Sequence, residues 1–358
     1  MKQKWNIVWV LAALALVLGA CAAPQATEAP AAAPAPQELT VMTHDSFAVS
    51  EEVIAEFEAA NQVKVVFLKS GDTGSVLNRA ILSKDAPLAD VLYGVDNTFL
   101  SRALEADIFE AYTPAGIDGV PAELKLDPEN RLTPVDYGDV CINYDKAYFA
   151  EKGLALPQSL DDLLKPEYKG LLVVENPATS SPGLAFLLAT VAEYGEEGYL
   201  DFWAALRENG VIVVNDWETA YYTNFSASTG KGEQPMVVSY GSSPPVEVVY
   251  AEQPLDDAPT ASLVGENMCF RQVEFVGVLK GAKNPEAARK FVDFMLSKRF
   301  QEDMPLQMFV FPVLAEASLP DVFVQYAQIP QAPAAVDPQL IADNREKWID
   351  AWDEVVLK

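Results

Sequence analysis

Histidine is almost absent from this chain of 358 residues, since His44 is the only one. The three cysteines include no CxxC pair, so a zinc centre, which needs closely spaced cysteine or histidine ligands, is not expected. A Ser-His-Asp triad would have to use His44, but Asp45 and Ser46 are its immediate neighbours, and adjacent side chains rarely face one another. Neither a G-x-S-x-G elbow nor a P-loop occurs. We therefore expect no enzyme, and no bound cofactor or metal.

Basic residues are outnumbered, with 25 lysines and arginines against 52 aspartates and glutamates and a net charge of −27. This charge disfavours nucleic acid or an anionic membrane face as a partner. It attracts cations only weakly and at long range, and an acidic surface that maintains solubility explains it at least as well. The charge therefore excludes partners better than it identifies a ligand.

The sequence has one long apolar run, and it lies at the N-terminus. Lys2 and Lys4 precede "IVWVLAALALVLGA", which stops at Cys21. A basic start, a short apolar run and small residues at its end are typical of a secretory signal peptide, here residues 1–21. The ending "LGAC" also resembles a bacterial lipobox, whose cysteine is lipidated, and an ordinary cleaved signal is the alternative. We expect an extracytoplasmic protein anchored to the membrane through Cys21.

Residues 22–38 are rich in alanine and proline, a composition that cannot bury a core and predicts a semi-extended tether. About 320 residues follow, enough for two lobes at the ordinary size of domains. No second apolar run is long enough to span a bilayer. We therefore expect a globular body beyond the tether.

The sequence after the tether predicts alternating strands and helices. Strand-like stretches are "ELTVMTH", "QVKVVFLKS" and "ADVLYGV", and helices are expected at "VSEEVIAEFEAAN" and "VLNRAILSK". This βαβαβ order predicts a parallel sheet wound with helices. Such sheets bind ligands beyond the carboxyl ends of their strands, where helix N-termini also point. The loops after the strands are therefore the expected place for a site.

Two extended segments are expected to cross between the lobes. The first is Arg131–Asp145, and the second lies within "NMCFRQVEFVGVLKGAKN", after which "NPEAARKFVDFMLSKRFQEDM" predicts one long amphipathic helix. Residues 39–139 then form the first part of lobe 1, residues 140–268 form lobe 2, and residues 269–358 return to lobe 1 and add C-terminal helices. Two crossings leave a cleft whose walls come from both lobes.

Cys141 and Cys269 both lie in strand-like text, within "DVCINYD" and "NMCFRQVEFVGVL". Outside the cytoplasm an isolated pair of cysteines is often oxidised. We predict a disulfide between them, which would staple the two crossing strands side by side. Two buried free thiols are the alternative.

The stretch "VNDWETAYYTNF" concentrates aromatic residues. Asn215–Glu218 resembles a capping box, so a helix is expected to start there. On that helix Trp217, Tyr221 and Phe225 form one stripe, while Tyr222 lies about 100° away. The stripe fits a core face, a cage for an organic cation, or phenolate ligands for a metal, and local geometry leaves all three open.

At this point the chain resembles the extracytoplasmic solute-binding proteins of ABC importers, and within them the thiamine-binding branch. The stretches "THDSFA", "GDTGSVLNR", "NPATSSPGL", "DWETAYYTNF" and "VVSYGSSPP" carry the resemblance. It implies a two-lobed α/β fold of the type II periplasmic-binding class, with the ligand in the cleft between lobes. It also implies thiamine, thiamine monophosphate or thiamine diphosphate as ligand, and an ABC permease with its ATPase as partners.

The resemblance further implies a set of ligand contacts on the loops that follow the strands. These contacts fall on Asp72, Thr73, Ser180, Ser181, Trp217, Tyr221, Tyr240, Gly241, Ser242 and Ser243. One departure concerns the backbone, because family members have an Asp-Gly pair where this chain has Asp72-Thr73 with Gly74 after it.

The chemistry of these residue types suits thiamine, a thiazolium cation joined to an aminopyrimidine. Aromatic faces would attract the cation by about 0.5 to 2 kcal/mol per contact. Asp72 would accept from the exocyclic amine or balance the ring charge, or it caps a helix. A serine of Ser180–Ser181 would cap the next helix, and free N–H groups and hydroxyls there would bind a phosphate ester, with Ser242 and Ser243 donating nearby.

Three rival functions remain at the sequence level. A ferric-ion-binding protein of the same superfamily would use Tyr221, Tyr222 and His44, but neighbouring tyrosines reach one ion only if their helix is broken. A polyamine-binding protein is a second alternative, and a thiamine-ester hydrolase is a third. The sequence ranks none of the thiamine forms over another.

Overall fold

The computed structural model describes residues 37–228 and 232–358. The predicted signal peptide, the lipidation of Cys21 and all but the last two residues of the predicted tether lie outside the described residues. Among those described, no helix is both long and apolar enough to cross a membrane.

Strands and helices alternate along the described chain, as the sequence predicts. The strands are β1 Gln37–Thr43, β2 Val63–Lys69, β3 Val91–Asp96, β4 Thr133–Asp145, β5 Leu172–Glu175, β6 Ile212–Val214, β7 Met236–Tyr240, β8 Thr260–Leu263, β9 Phe270–Val278 and β10 Phe311–Pro312. The helices are α1 Glu51–Asn61, α2 Thr73–Leu82, α3 Leu100–Glu105, α4 Lys146–Lys152, α5 Ser181–Glu208, α6 Pro244–Val249, α7 Pro285–Met295, α8 Lys298–Gln301, α9 Met304–Gln307, α10 Asp321–Tyr326 and α11 Pro338–Val356.

One mixed sheet connects the strands in the order β2-β1-β3-β9-β4-β7-β5-β6, with β8 and β10 pairing on β4. Strand β1 is parallel to both β2 and β3, so the predicted βαβαβ start is confirmed. A second parallel group, β7-β5-β6, lies at the other end of the order. The antiparallel strands β9 and β4 stand between the two groups. The sheet therefore offers two sets of parallel carboxyl ends, one on each side of β4.

Strand β4 spans both groups because its two halves have different partners. Tyr137 in the first half pairs with β9 and β10, whereas Asn143 in the second half pairs with β7 and β8. The extended segments predicted to cross are thus β4 and β9. Cys141 on β4 and Cys269, one residue before β9, form a disulfide with 4.3 Å between their Cα atoms.

The predicted long helix after β9 is wrong, because the chain breaks there into α7, α8 and α9. Ser297 interrupts it with an extended backbone, and its hydroxyl accepts from the N–H of Phe300 and so caps α8. Buried residues stand on both sides of the break, with Met295 and Leu296 before it and Phe300 after it.

The largest apolar core runs through both parallel groups. It contains Met42 and Leu92 from the first group, and Val174 and Leu188 from the region of the second. The C-terminal helix α11 packs on α5, which is kinked at Gly195. This contact crosses the boundaries expected between 140–268 and 269–358, and the predicted lobe limits stay a prediction.

Candidate functional site

A pocket lies at the carboxyl ends of the parallel strands, as the sheet topology predicts. Its volume is about 250 Å³, and the loops after β1, β2, β5, β6 and β7 contribute to its walls together with β9 and the segment before β10. The lining residues are His44, Ser46, Ala48, Asp72, Thr73, Ser181, Pro182, Trp217, Tyr222, Tyr240, Ser243, Val246, Tyr250, Glu274, Gln307, Met308, Phe309 and Val310.

The structure brings six of the ten predicted ligand contacts to the pocket wall. These are Asp72, Thr73, Ser181, Trp217, Tyr240 and Ser243. The other four, Ser180, Tyr221, Gly241 and Ser242, are buried and lie outside the lining. For example, Gly241 packs so closely against the Gln328 carbonyl that an added Cβ would lie 2.3 Å from its oxygen.

The aromatic segment differs from the predicted α-helix. Residues Thr219–Asn224 form a π-helical turn, and the side chain of Asp216 caps it by accepting from the N–H of Thr219 at 2.7 Å. The predicted capping box of Asn215 and Glu218 is therefore wrong, since the capping side chain is the intervening aspartate. A π-helical turn is wider than an α-helical one and changes which aromatic faces a ligand.

In this turn Tyr221 supports the pocket from behind and Tyr222 lines it. Tyr221 is fully buried, stacks on Trp217 with ring centroids 5.0 Å apart, and donates its hydroxyl to Glu247 at 2.8 Å. Tyr222 meets Trp217 edge to face at 5.5 Å and lines the pocket. The aromatic wall is therefore Trp217 with Tyr222, while Phe225 is in the core.

Trp217 is fixed by contacts at both its backbone and its indole. Its N–H donates to Asp72 Oδ2 at 3.3 Å, and its indole Nε1–H donates to Ser239 Oγ at 2.9 Å. Ser239 in turn lies 2.9 Å from the hydroxyl of Ser243, another lining residue. These contacts connect the loops after β2, β6 and β7 around one ring.

Asp72 was expected either to face the ligand site or to cap a helix. In the structure it lines the pocket and also caps α2. Its Oδ1 accepts from the N–H of Thr73 at 2.7 Å. Burial raises the pKa of Asp72, an effect opposed by the neighbouring Ser180 hydroxyl, the Thr73 and Trp217 N–H groups and His44. Gly74 is required after this pair, because a Cβ there would lie 2.7 Å from the carbonyl oxygen of Ala178. Although this chain has Thr73 where the family has glycine, it keeps a glycine at position 74, where the loops after β2 and β5 touch.

Ser180 holds the N-cap position of α5, as expected for one serine of this pair, but its side chain makes no capping hydrogen bond. Ser181 lines the pocket and donates its hydroxyl to Asp96. Burial raises the pKa of Asp96 to about 6, against the opposing hydrogen bonds from Ser181 and Thr98. The hydroxyl hydrogen of Ser181 is consequently engaged by the protein when Asp96 is ionised.

The sequence prediction missed a buried acidic network beneath the pocket. His44 Nε2 lies 3.3 Å from Glu274 Oε1, and the hydroxyl of Tyr93 donates to Asp136 at 2.6 Å and contacts Glu274 at 3.2 Å. Burial lowers the pKa of His44, but the hydrogen bond and charge of Glu274 outweigh it and the pKa is raised. A glutamate within the apolar strand text "VEFVGV" was the signal that marked this position.

The described residues contain no group of three or more histidine, cysteine, aspartate or glutamate side chains placed to hold a metal ion. Of the tyrosines considered for iron, Tyr221 is engaged with Glu247, and its ring stands at 84° to that of Tyr222.

Comparison with known proteins agrees with this architecture. The family model described as bacterial extracellular solute-binding protein matches residues 86–355. The thiamine-binding periplasmic protein of Salmonella typhimurium is 31% identical over 328 residues, which cover 89% of this chain and 94% of that protein. A solved periplasmic thiamin binding protein superposes with a TM-score of 0.78 and 28% identity, covering 89% of this chain and 96% of its own.

Other solved structures share the fold alone. The ferric binding protein from Campylobacter jejuni has a TM-score of 0.71 at 19% identity, over 88% of this chain and 99% of its own. The expected type II periplasmic-binding fold is thus confirmed. Because the family model covers most of the sequence, the chain belongs to the bacterial extracellular solute-binding proteins, the substrate-binding components of ABC importers.

Proposed function

We propose that this protein captures thiamine, free or as a phosphate ester, and delivers it to an ABC permease driven by a cytoplasmic ATPase. The relatives that bear the name thiamine-binding periplasmic protein support the ligand class, as does their match along nearly the whole chain. The family to which the chain belongs supports a receptor rather than an enzyme.

The observation that carries the ligand proposal is an aromatic wall facing carboxylates. Trp217 and Tyr222 line the pocket together with Asp72 and Glu274. A flat organic cation such as thiazolium gains about 0.5 to 2 kcal/mol from each aromatic face. Carboxylates at the pocket wall add attraction for the ring charge and acceptors for the aminopyrimidine.

Delivery requires that the receptor stays near its importer and that it closes on its ligand. A lipidated Cys21 followed by the tether 22–38 would hold the body beside the membrane. We further propose that lobes 39–139 with 269–358 and 140–268 close about β4 and β9. Contacts of Asp72 with Trp217 join loops of the two parallel groups and support such closure.

Mass analysis of the bound ligand tests the proposal. The protein is purified, saturated with thiamine, dialysed and denatured, and the released compound is identified by mass spectrometry. We expect unchanged thiamine in an amount close to one per chain. Recovery of a cleaved product would indicate an enzyme, and displacement of thiamine by ferric citrate or spermidine at equal concentration would contradict the ligand.

A further inference from the structure

A buried acid-base pair forms part of the pocket wall. His44, in the loop after β1, and Glu274, on β9, both line the pocket, and Nε2 of the first lies 3.3 Å from Oε1 of the second. Each exposes less than a tenth of its side chain. A ligand in the pocket therefore meets an ion pair that is largely shielded from water.

The fold makes room for the imidazole of His44 against the sheet. Gly94 on β3 has a φ of +101°, and the pairing of β3 with β9 shifts register at this point, between Tyr93 and Val95. A Cβ at position 94 would lie 2.4 Å from Cδ2 of His44. The imidazole also packs on the ring of Tyr93, with centroids 5.6 Å apart. The glycine and the bulge thus allow the imidazole to lie beside Glu274.

Glu274 belongs to a pair of buried carboxyl groups that carries one charge. The hydroxyl of Tyr93 lies 2.6 Å from Oδ2 of Asp136 and 3.2 Å from Oε2 of Glu274. Burial and the charge of Glu274 raise the pKa of Asp136 well above its ordinary value. Burial alone would raise the pKa of Glu274 as well, but the hydrogen bond and charge of His44 outweigh burial and the pKa is lowered. Asp136 therefore keeps its proton, and Glu274 carries the charge.

His44 faces charged and titratable groups from several elements. They are Glu274 on β9, Asp72 before α2, Lys69 at the end of β2, Tyr93 on β3 and, behind Tyr93, Asp136 on β4. Burial lowers the pKa of His44, the hydrogen bond and charge of Glu274 and the charge of Asp72 raise it, and Lys69 lowers it, with a raised pKa as the result. In the ligand-free protein the imidazole thus holds a proton that balances Glu274.

The other carboxylate among the described lining residues has partners whose charge is fixed. Asp72 accepts from the N–H groups of Thr73 at 2.7 Å and Trp217 at 3.3 Å. These backbone groups do not titrate. Glu274 instead faces an imidazole, which gives up its charge when it loses one proton. Glu274 is therefore the lining carboxylate that can exchange a protein cation for a ligand cation.

We propose that Glu274 is the counter-ion of the ligand's cationic ring, and that this ring replaces the proton that His44 holds in the ligand-free protein. The inference rests on the proposed function, to which it adds the residues that balance the charge of the ligand. Two cations beside one buried carboxylate repel each other, so the imidazolium releases its proton to solvent when the ring enters. Charge is conserved in the pocket, since one cation enters as one proton leaves.

This exchange makes capture of the ligand dependent on pH. Below the raised pKa of His44 the ring must displace a proton, whereas above it the imidazole is already neutral. The affinity should therefore fall as pH drops below that pKa, and the Kd of thiamine should be higher at about pH 5.5 than at about pH 7.5. A Kd that is equal or lower at the acidic pH overturns the inference.

NMR spectroscopy follows the proton directly, because His44 is the only histidine and the full protein can be prepared without a histidine tag. We expect the pKa of His44 to lie above 6.5 without ligand and to fall by at least about one pH unit when thiamine is saturating. A smaller fall, no change or a rise overturns the inference. If thiamine does not bind, the proposed function fails, which is a separate outcome.

Calorimetry counts the protons that binding releases. Thiamine is titrated at pH 6.5 in two buffers that differ in their enthalpy of ionisation, and the difference in observed heat gives the number of protons exchanged. We expect release of at least about half a proton per thiamine, because the pKa of His44 lies above 6.5 and most ligand-free chains hold the proton at this pH. A smaller release, or uptake, contradicts the exchange.

Three variants assign the exchange to the pair. Glu274→Gln removes the counter-ion at nearly constant size, so it should weaken thiamine binding by at least about tenfold and abolish the proton release. Asp96→Asn removes another group that titrates near pH 6, and it should leave the number of protons released unchanged. Glu56→Gln, on the exposed face of α1, should retain both affinity and release. Proton release that persists in Glu274→Gln, or disappears in Asp96→Asn, would contradict the assignment.

Discussion

Trp217 is the residue on which the pocket depends most directly. Its ring stacks on buried Tyr221 and meets Tyr222 edge to face, so these two neighbours set the plane of the ring. Its indole N–H donates to Ser239 on β7, and its backbone N–H donates to Asp72 in the loop after β2. The residue is only partly buried, so its open face remains available to a ligand.

Substitution of this residue should separate stacking from hydrogen bonding. Trp217→Ala removes the aromatic face and should weaken thiamine binding by at least about tenfold, or about 1.4 kcal/mol. Trp217→Phe keeps a ring but loses the bond to Ser239, and should retain most of the affinity. Calorimetry measures both variants. Equal affinity of Trp217→Ala and the unmodified protein would show that the ring does not contact the ligand.

Asp96 should make the folded protein less stable as pH rises. Its pKa in the fold is about 6, above the ordinary 3.8, because burial disfavours its ionised form. The folded state therefore holds this proton more tightly, and this group lowers the free energy of unfolding as pH rises from about 4 to about 6. At pH 7.5, Asp96→Asn should raise the free energy of unfolding by up to about 3 kcal/mol and raise the Tm accordingly. At pH 4 the variant should gain little. Equal gains at both pH values, measured by thermal melts, would contradict the assignment.

The resemblance pointed to six residues that line the pocket, but it did not include Tyr222 or Glu274, which line it as well. It named Asp72 and Trp217, which do line the site, because their motifs are local in sequence. It offered Tyr221 in place of Tyr222, since an α-helical stripe was assumed where the chain forms a π-helical turn. Glu274 was missed because its partner His44 lies in the loop after β1, more than two hundred residues earlier. Such a contact is set by tertiary packing, which no local pattern contains.

At the scale of elements, the pairing of β4 and β9 holds the two parallel groups together. Strand β4 changes partners halfway along its length, and the disulfide joins it to the start of β9. Cys141 also pairs across the sheet with Ser239, the acceptor of the Trp217 indole. The disulfide therefore supports Trp217 in the pocket wall indirectly, through Ser239 on the neighbouring strand β7.

Removal of the disulfide should cost stability. Its two cysteines are 128 residues apart, and a crosslink that closes a loop of this length contributes about 4 to 5 kcal/mol in the chain-entropy account. The double variant Cys141→Ser with Cys269→Ser should melt well below the unmodified protein, and a reducing agent should reproduce the loss. An identical free energy of unfolding in denaturant titrations, with and without the disulfide, would contradict this role.

The strands and helices could be predicted where neighbouring residues in the sequence determine them. The βαβαβ start and the two long extended segments at β4 and β9 follow from apolar periodicity and turn residues, and both are present. The break after α7 was not predicted, because "FVDFMLSKRFQEDM" keeps an amphipathic composition while Ser297 adopts an extended backbone and caps a new helix. The packing of α11 on α5 was likewise missed, since it joins segments far apart in sequence.

At the scale of the whole molecule, the N-terminal segment should determine where the protein resides. Cys21→Ser removes the nucleophile that would be lipidated and should transfer the protein from the membrane fraction to the soluble fraction after export. Incorporation of an alkyne-labelled fatty acid into the unmodified protein, and its absence from the variant, measures the modification directly. Equal partitioning of both proteins would favour an ordinary cleaved signal.

The net charge of −27 belongs to the same scale and agrees with the pocket in sign. A negative protein surface raises the local concentration of cations and lowers that of anions within about a Debye length. The effect on capture is weak and salt-dependent, so it complements the fixed carboxylates of the pocket without replacing them.

Calorimetric titration of the ligand-stripped protein with thiamine tests the central claim most directly. The account predicts saturable binding of one thiamine per chain, with no comparable heat from ferric citrate or spermidine. Binding of either competitor without binding of thiamine, or no binding of thiamine at all, would contradict it.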